Sequence, residues 1–429
     1  MNKHLSNFTY GFFILLFFII TPIFIGLALG YRYNFTTRNI EKRGAFYLKS
    51  YPRSADIFID NKKMRQKTPN QITNISSGSY TVTVAKEKYT PWQKKLPIYP
   101  GETTFAEDIV LFLEQRDKVS LGVGSTNVLL NKNQDQYAYL DDKNNLNITD
   151  IQLEKNWLLS PLDESYELID WSADNQRLLL GLEKKYFIFD INRKELKKLA
   201  LSDLDKIIWD DNDGQKLWYL KKDELFTYQP DAAKQYQSEK IALSYPLNDF
   251  DVKDNWLISH HSQLDQNFVS QIDLNDFSVK QITNNVNVGK VKLFLANNEQ
   301  LIFAVGSQLY IKTKDSDLIS IPFTNAAIHD QRILLTNGYE IILYNFKEHW
   351  QALIDRSSQI VSDVIWHPNG SYFLSESNNI SNLAEIDSRD VRNSIEILNE
   401  PHKKYYFFNA KGDKLFIITP QENFYLTIQ

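Results

Sequence analysis

The adjacent pair His260-His261 is the first candidate for chemistry, because imidazoles ligate metals and move protons near neutral pH. Seven histidines are present and no two others are neighbours. Successive side chains on a strand point to opposite faces, so the two rings are not expected to share one ion. The acid pairs Asp141-Asp142 and Asp210-Asp211 suggest glycoside chemistry, which needs two carboxyls at a defined separation across a pocket. Both pairs lie in turn-like stretches, where Asp more often caps backbone groups. Trp171, Trp209 and Trp366 offer flat faces for stacking on sugars, yet they recur at one position of a repeat, which points to core packing instead. No Gly-x-Ser-x-Gly elbow, His-Glu-x-x-His pair, EF-hand loop or phosphate-cradling glycine loop occurs. With no cysteine, disulfides, thiolate nucleophiles, iron–sulfur clusters and cysteine-bound zinc are excluded. The expectation is a protein that is not an enzyme, with no catalytic residue, cofactor or metal, and with binding residues the sequence does not identify.

In the chain as a whole, 48 basic and 53 acidic residues give a net charge of −5 with the signs interspersed. That balance carries no electrostatic footprint for nucleic acid. Aromatic residues make up 13% of the 429, mostly within alternating apolar and polar runs, which favours strands. Six Asn-x-Ser/Thr triplets begin at Asn7, Asn34, Asn74, Asn147, Asn369 and Asn379, and chance explains them in a chain this rich in these residue types.

The candidate residues fall in a repeat with a period near 39 residues, running from about Lys118 to Gln429. Its best copies are Ile169-Asp170-Trp171-Ser172-Ala173-Asp174-Asn175, Ile208-Trp209-Asp210-Asp211-Asn212-Asp213-Gly214 and Ile365-Trp366-His367-Pro368-Asn369-Gly370. Each is followed by an apolar strand, then by two further strands, which is one four-stranded propeller blade. Eight units are expected, centred near residues 139, 180, 219, 258, 302, 335, 373 and 416, with seven blades as the alternative. The last unit stops after three strands, and Lys118–Val123 is expected to supply the fourth and close the ring. The Trp-x-Pro-Asn-Gly turn resembles TolB-type propeller repeats, although only residues 366–370 fit it fully.

Residues 44–115 form a different unit of short strands and turns, expected to be a small β-sandwich of about six strands. Pro52-Arg53-Ser54-Ala55, the strand Asp56 to Asp60, Thr68-Pro69 and Gly78-x-Tyr80-x-Val82-x-Val84 resemble the PEGA domain. Ser54 and Lys88 stand where that family has glycines, so those two turns are expected to differ in shape. The resemblance implies a surface-associated prokaryotic protein with a β-sandwich spacer or adhesion module, and no enzyme activity.

Ahead of this unit, Leu5 to Tyr31 carries no charge, and a transmembrane helix is expected over residues 9–33, between a tail of 1–8 and a linker of 34–43. Its apolar core is longer than that of a cleaved signal peptide. Arg32, Arg38, Lys42 and Arg43 follow it, and a simple positive-inside count would keep the bulk of the chain in the cytoplasm. The family resemblance points outward. The reading is thus mainly β: a single-pass anchor at the cell membrane, a PEGA-like stalk at 44–115 and a propeller at 116–429. The head is expected to bind a cell-wall polymer, a glycan or a surface protein. A propeller hydrolase or lyase acting over the central channel, and a structural envelope component, are the alternatives.

Overall fold

The computed structural model describes residues 3–34, 38–232, 237–264, 266–284, 286–314, 316–401 and 404–429. Residues 35–37 of the expected linker, and the side chains of Asn7 and Asn34, lie outside the described residues. Two compact units are present. One comprises Met1–Arg116 with Glu385–Ser394 and Ile428–Gln429, and the other Asp117–Ala384 with Ile395–Thr427.

The first unit opens with helix α1 (Lys3–Ala28), so most of the expected tail is helical. Thr9–Ala28 is a 20-residue stretch long and apolar enough to cross a membrane. The helix ends five residues before the expected limit because Gly30 takes a left-handed conformation (φ 88°), which stops helices at little steric cost. The Leu27 carbonyl accepts from the Gly30 amide at 3.2 Å and from Arg32 Nη1 at 2.6 Å. An antiparallel hairpin, β1 (Tyr31–Asn34) and β2 (Asn39–Lys42), succeeds the helix where a linker was expected.

The sandwich has seven strands: β3 (Gly44–Tyr51), β4 (Asp56–Ile59), β5 (Lys62–Lys67), β6 (Asn70–Ile75), β7 (Gly78–Ala85), β8 (Trp92–Ile98) and β9 (Thr103–Val110). They form a three-stranded sheet β6-β3-β9 and a four-stranded sheet β5-β4-β7-β8. Period-two alternation sends Phe46, Leu48, Ile57, Val82, Val84, Leu96 and Ile109 into one buried cluster. Each such side chain contributes about 1.5–3 kcal/mol by leaving water. Ser54 (φ 63°) and Lys88 (φ 72°) both hold left-handed backbone. The two turns therefore keep a glycine-like conformation without glycine, at a cost of roughly 1–2 kcal/mol per residue.

The second unit is a β-propeller with eight four-stranded sheets among the described residues. Seven are consecutive in the chain, over 127–161, 167–202, 206–240, 249–283, 291–322, 325–356 and 361–399. The eighth joins 405–427 to β10 (Lys118–Val123), which pairs antiparallel with Glu422–Thr427. The chain ends meet in one sheet, which removes an exposed edge. In each consecutive blade the first strand lies at one end of the sheet, and several of these first strands pack on those of neighbouring blades, around the axis. Second strands such as Arg177–Leu182 and Gln300–Val305 are almost wholly buried, because both faces pack against other blades.

Candidate functional site

The first strands of the propeller carry the acids that a channel-centred enzyme would use. Asp170 Oδ1 accepts from the Trp171 amide and Oδ2 from the Trp209 amide of the next blade, both at 2.8 Å. Asp249 repeats the arrangement, with Phe250 N at 2.8 Å and Val291 N of the next blade at 2.6 Å. Asp251 does so with Val252 N at 3.1 Å and Leu293 N at 2.7 Å. Each carboxylate thus pins one blade to the next by satisfying a backbone donor. Lys132 bridges Asp170 (3.6 Å) and Asp211 (3.1 Å), and Lys206 pairs with Asp249 (3.2 Å). Burial raises the carboxyls of Asp170 and Asp251 despite these partners. Asp363, also on a first strand, is pushed up to about 6 by burial.

The sequence candidates are scattered rather than gathered. His260 and His261 are buried on the two faces of one strand. His261 stacks on Tyr245 with centroids 3.8 Å apart, and neither ring nitrogen of His260 finds a hydrogen-bond partner among the described residues. Burial lowers the pKa of both rings. No group of three metal-ligating side chains occurs among the described residues. Asp141 closes a turn, accepting from the Lys143 amide (2.9 Å) and Asn145 amide (2.8 Å). Burial would raise its carboxyl, but these bonds and those of the Asn145 side chain bring it below the ordinary value. Asp210 accepts from Trp218 Nε1 at 2.8 Å and from the amides of Asn212 and Asp213. Trp171 and Trp366 are buried and donate through Nε1 to Leu129 and Ala327 carbonyls of the preceding blade, at 3.1 and 2.9 Å. Trp209 is equally buried. None of the three presents a free face to a sugar.

A dense polar constellation lies in the first unit, where sequence reasoning places none. Segment 385–394, between strands Ile380–Glu385 and Ser394–Asn399, folds along the outer edge of β8. Lys94 Nζ is fully buried and meets Glu385 Oε1 at 2.7 Å and Asp387 at 3.7 Å. Trp92 Nε1 donates to Glu385 Oε2 at 2.8 Å. The edge amides of Gln93 and Lys95 are taken up by Asn393 Oδ1 (3.3 Å) and Asp390 Oδ2 (2.8 Å), as a neighbouring strand would take them. Arg389 forks onto Asp387 and donates to the Phe105 carbonyl at 2.7 Å. Beside this clamp lies a polar cleft of about 400 Å3 bounded by Thr81, Lys95, Asp390 and Arg392. The signal is present in the alternation Trp92, Lys94, Leu96, which puts a lysine in an inward slot. A second cleft of about 340 Å3, in the propeller, lies between Lys222–Leu225 and Lys240–Pro246.

The family model of the PEGA domain matches residues 43–109. No curated protein matches the chain. Among solved structures, the crystal structure of a eukaryotic initiation factor superposes with a TM-score of 0.51 at 14% identity, over 68% of this chain and 81% of that one. The Dos1 propeller aligns with a TM-score of 0.48 at 12% identity, over 72% and 93%. The propeller domain of Cps50 (Swd1) from Myceliophteria thermophila aligns with a TM-score of 0.39 at 11% identity, over 72% and 99%. At these identities the likeness concerns the fold alone.

Proposed function

We propose that this protein is a non-catalytic binding or scaffolding protein, held at the cell membrane by α1, with the PEGA-matching unit as stalk and the propeller as head. The observation that carries the reading is the engagement of three of the first-strand acids. Asp170, Asp249 and Asp251 spend their oxygens on backbone donors of the same and the next blade. General acid/base work would need a carboxyl aimed at a substrate-sized space, within hydrogen-bond reach of it. An outward-facing head would meet an envelope polymer, a glycan or another surface protein through loops on the rim, which a ring scaffold leaves free to vary.

The PEGA match and the apolar Thr9–Ala28 stretch support this placement. The four basic residues after the helix argue against outward orientation, but large domains translocate largely regardless of such charges. Protease added to intact cells bearing a C-terminal tag is the test. Loss of the tag without lysis is expected. A tag protected until lysis would overturn the surface reading and direct the search to cytoplasmic partners.

A further inference from the structure

The hairpin β1–β2 is amphipathic in the wrong sense for water. Its register sets Tyr31 opposite Lys42 and Tyr33 opposite Ile40, so these four side chains share one face, and Arg32 and Glu41 share the other. The face with the apolar groups is the exposed one: Tyr31 is 42%, Tyr33 47% and Ile40 72% accessible. Arg32 and Glu41 are half-buried, and Arg32 is committed to carbonyls at the end of α1. An isolated two-stranded hairpin is marginal in water, and one that exposes its apolar face has less still to hold it together. This hairpin is continuous with a helix whose side chains from Phe12 to Leu29 are largely exposed apolar groups. The Arg43 amide ties it to the helix end through the Gly30 carbonyl at 3.1 Å. Across 30–43 there are four basic residues, Arg32, Arg38, Lys42 and Arg43, against the single acid Glu41.

We propose that this hairpin is a lipid-contacting element: the Tyr31, Tyr33 and Ile40 face lies in the headgroup layer of an anionic bilayer, with Arg38 and Lys42 on lipid phosphates. The proposal rests on the reading of α1 as a membrane anchor. Tyrosine suits that layer because its ring is apolar and its hydroxyl finds water or phosphate. Lysine spreads its methylenes over neighbouring surface and keeps its ammonium outward; Lys42 is exposed, with its side chain lying along Gly30 and Gly101. Each basic residue at an anionic surface adds roughly a fivefold factor to partition, a term that zwitterionic lipid does not supply.

A chain without cysteine allows single-site labelling. Full-length L15C and I40C, each carrying an environment-sensitive fluorophore, would be reconstituted into phosphatidylcholine vesicles with and without phosphatidylglycerol. The Leu15 site should be quenched by deep lipid-attached nitroxides in both. The Ile40 site should be quenched by headgroup-level nitroxides and shielded from both iodide and neutral acrylamide when phosphatidylglycerol is present, since the anionic surface alone repels iodide. Substituting R38Q and K42Q in the I40C chain should lower the hairpin's bound-to-free ratio, read from that shielding, roughly fivefold per charge removed. An Ile40 probe open to iodide in both vesicles, with the Leu15 probe in the bilayer, overturns the hairpin proposal and leaves the anchor standing. Shielding that appears only at high protein-to-lipid ratio overturns it in favour of a second copy of this chain. A Leu15 probe accessible to iodide overturns the anchor and the hairpin proposal together.

Discussion

Lys94 is the residue on which the first unit turns. Its ammonium is fully buried, and Glu385 and Asp387 supply the charges that make this tolerable. Removing one partner of a buried pair leaves an uncompensated charge, which costs about 3–5 kcal/mol. K94A should therefore weaken β8 by that order, read as faster hydrogen exchange at the amides of residues 93–96. The exposed pair Lys63–Asp56 gives the contrast, since K63A should change exchange little. A K94A chain with unchanged exchange in β8 would show that the clamp contributes no stability. The buried histidines set a pH dependence. Burial lowers the pKa of His260, His261 and His367 below the ordinary 6.5, so the unfolded chain binds these protons more readily. Their contribution is complete above pH 6.5 and is lost as the pH falls below it, toward the depressed folded values. Asp363, raised to about 6, works the other way, favouring the fold on acidification between about 6 and its ordinary 3.8. The melting temperature of the propeller should thus hold from pH 7.5 to 6.5 and fall below that, with Asp363 offsetting part of the fall under pH 6. H260F keeps an aromatic ring, though a larger one, removes one of the three groups and should reduce that fall. An identical pH profile for H260F would remove His260 from the account.

At the scale of elements, the blade turns that carry the tryptophan motif also fasten neighbouring blades. His367 Nε2 lies 2.9 Å from the Gly412 carbonyl of the next blade, and Arg332 Nη2 donates to the Gly370 carbonyl at the same distance. Gly412 has φ 75°, and a Cβ there would come within 2.4 Å of the His367 ring. G412A should cost about 1–2 kcal/mol from backbone alone, and more from the collision. H367A removes the obstacle, so the double variant should lose less stability than the two single losses added. Strict additivity in urea unfolding would sink the steric claim. The blade pattern is legible in the chain because its turn and second strand repeat as residue types, and the eight expected centres all fall on second strands. The aspartate links between blades are not legible. They join a side chain to a backbone amide about 40 residues on, and a backbone amide leaves no mark in a sequence. The left-handed Ser54 and Lys88 escape a reading of residue types for a related reason. Replacing a glycine suggests a new turn shape, whereas hydrogen bonds from Ser54 N to the Thr68 carbonyl (2.7 Å) and from Glu114 N to the Lys88 carbonyl (3.0 Å) hold both residues in the glycine-like one.

For the molecule as a whole, the unit that a sequence match delimits and the unit that folds are not the same. Residues 43–109 match the PEGA domain, but the compact unit also contains Glu385–Ser394 and Ile428–Gln429. The Leu113 amide donates to the Ile428 carbonyl at 2.9 Å, and the edge of β8 is completed by side chains nearly 300 positions further along. A fragment ending at Arg116 would expose the Lys94 ammonium and the Trp92 indole and leave the Gln93 and Lys95 amides as an open strand edge. Such an edge invites pairing with another chain. The fragment 38–116 should therefore show fast exchange throughout β8 and a tendency to associate. A synthetic peptide spanning 384–395, added in excess, should restore protection at Gln93 and Lys95. It should do so less well when Glu385 is replaced by Gln, because the ammonium then lacks its closest counter-charge. Full protection of β8 in the fragment alone would mean that the sandwich is autonomous and that the distant segment only rests on it.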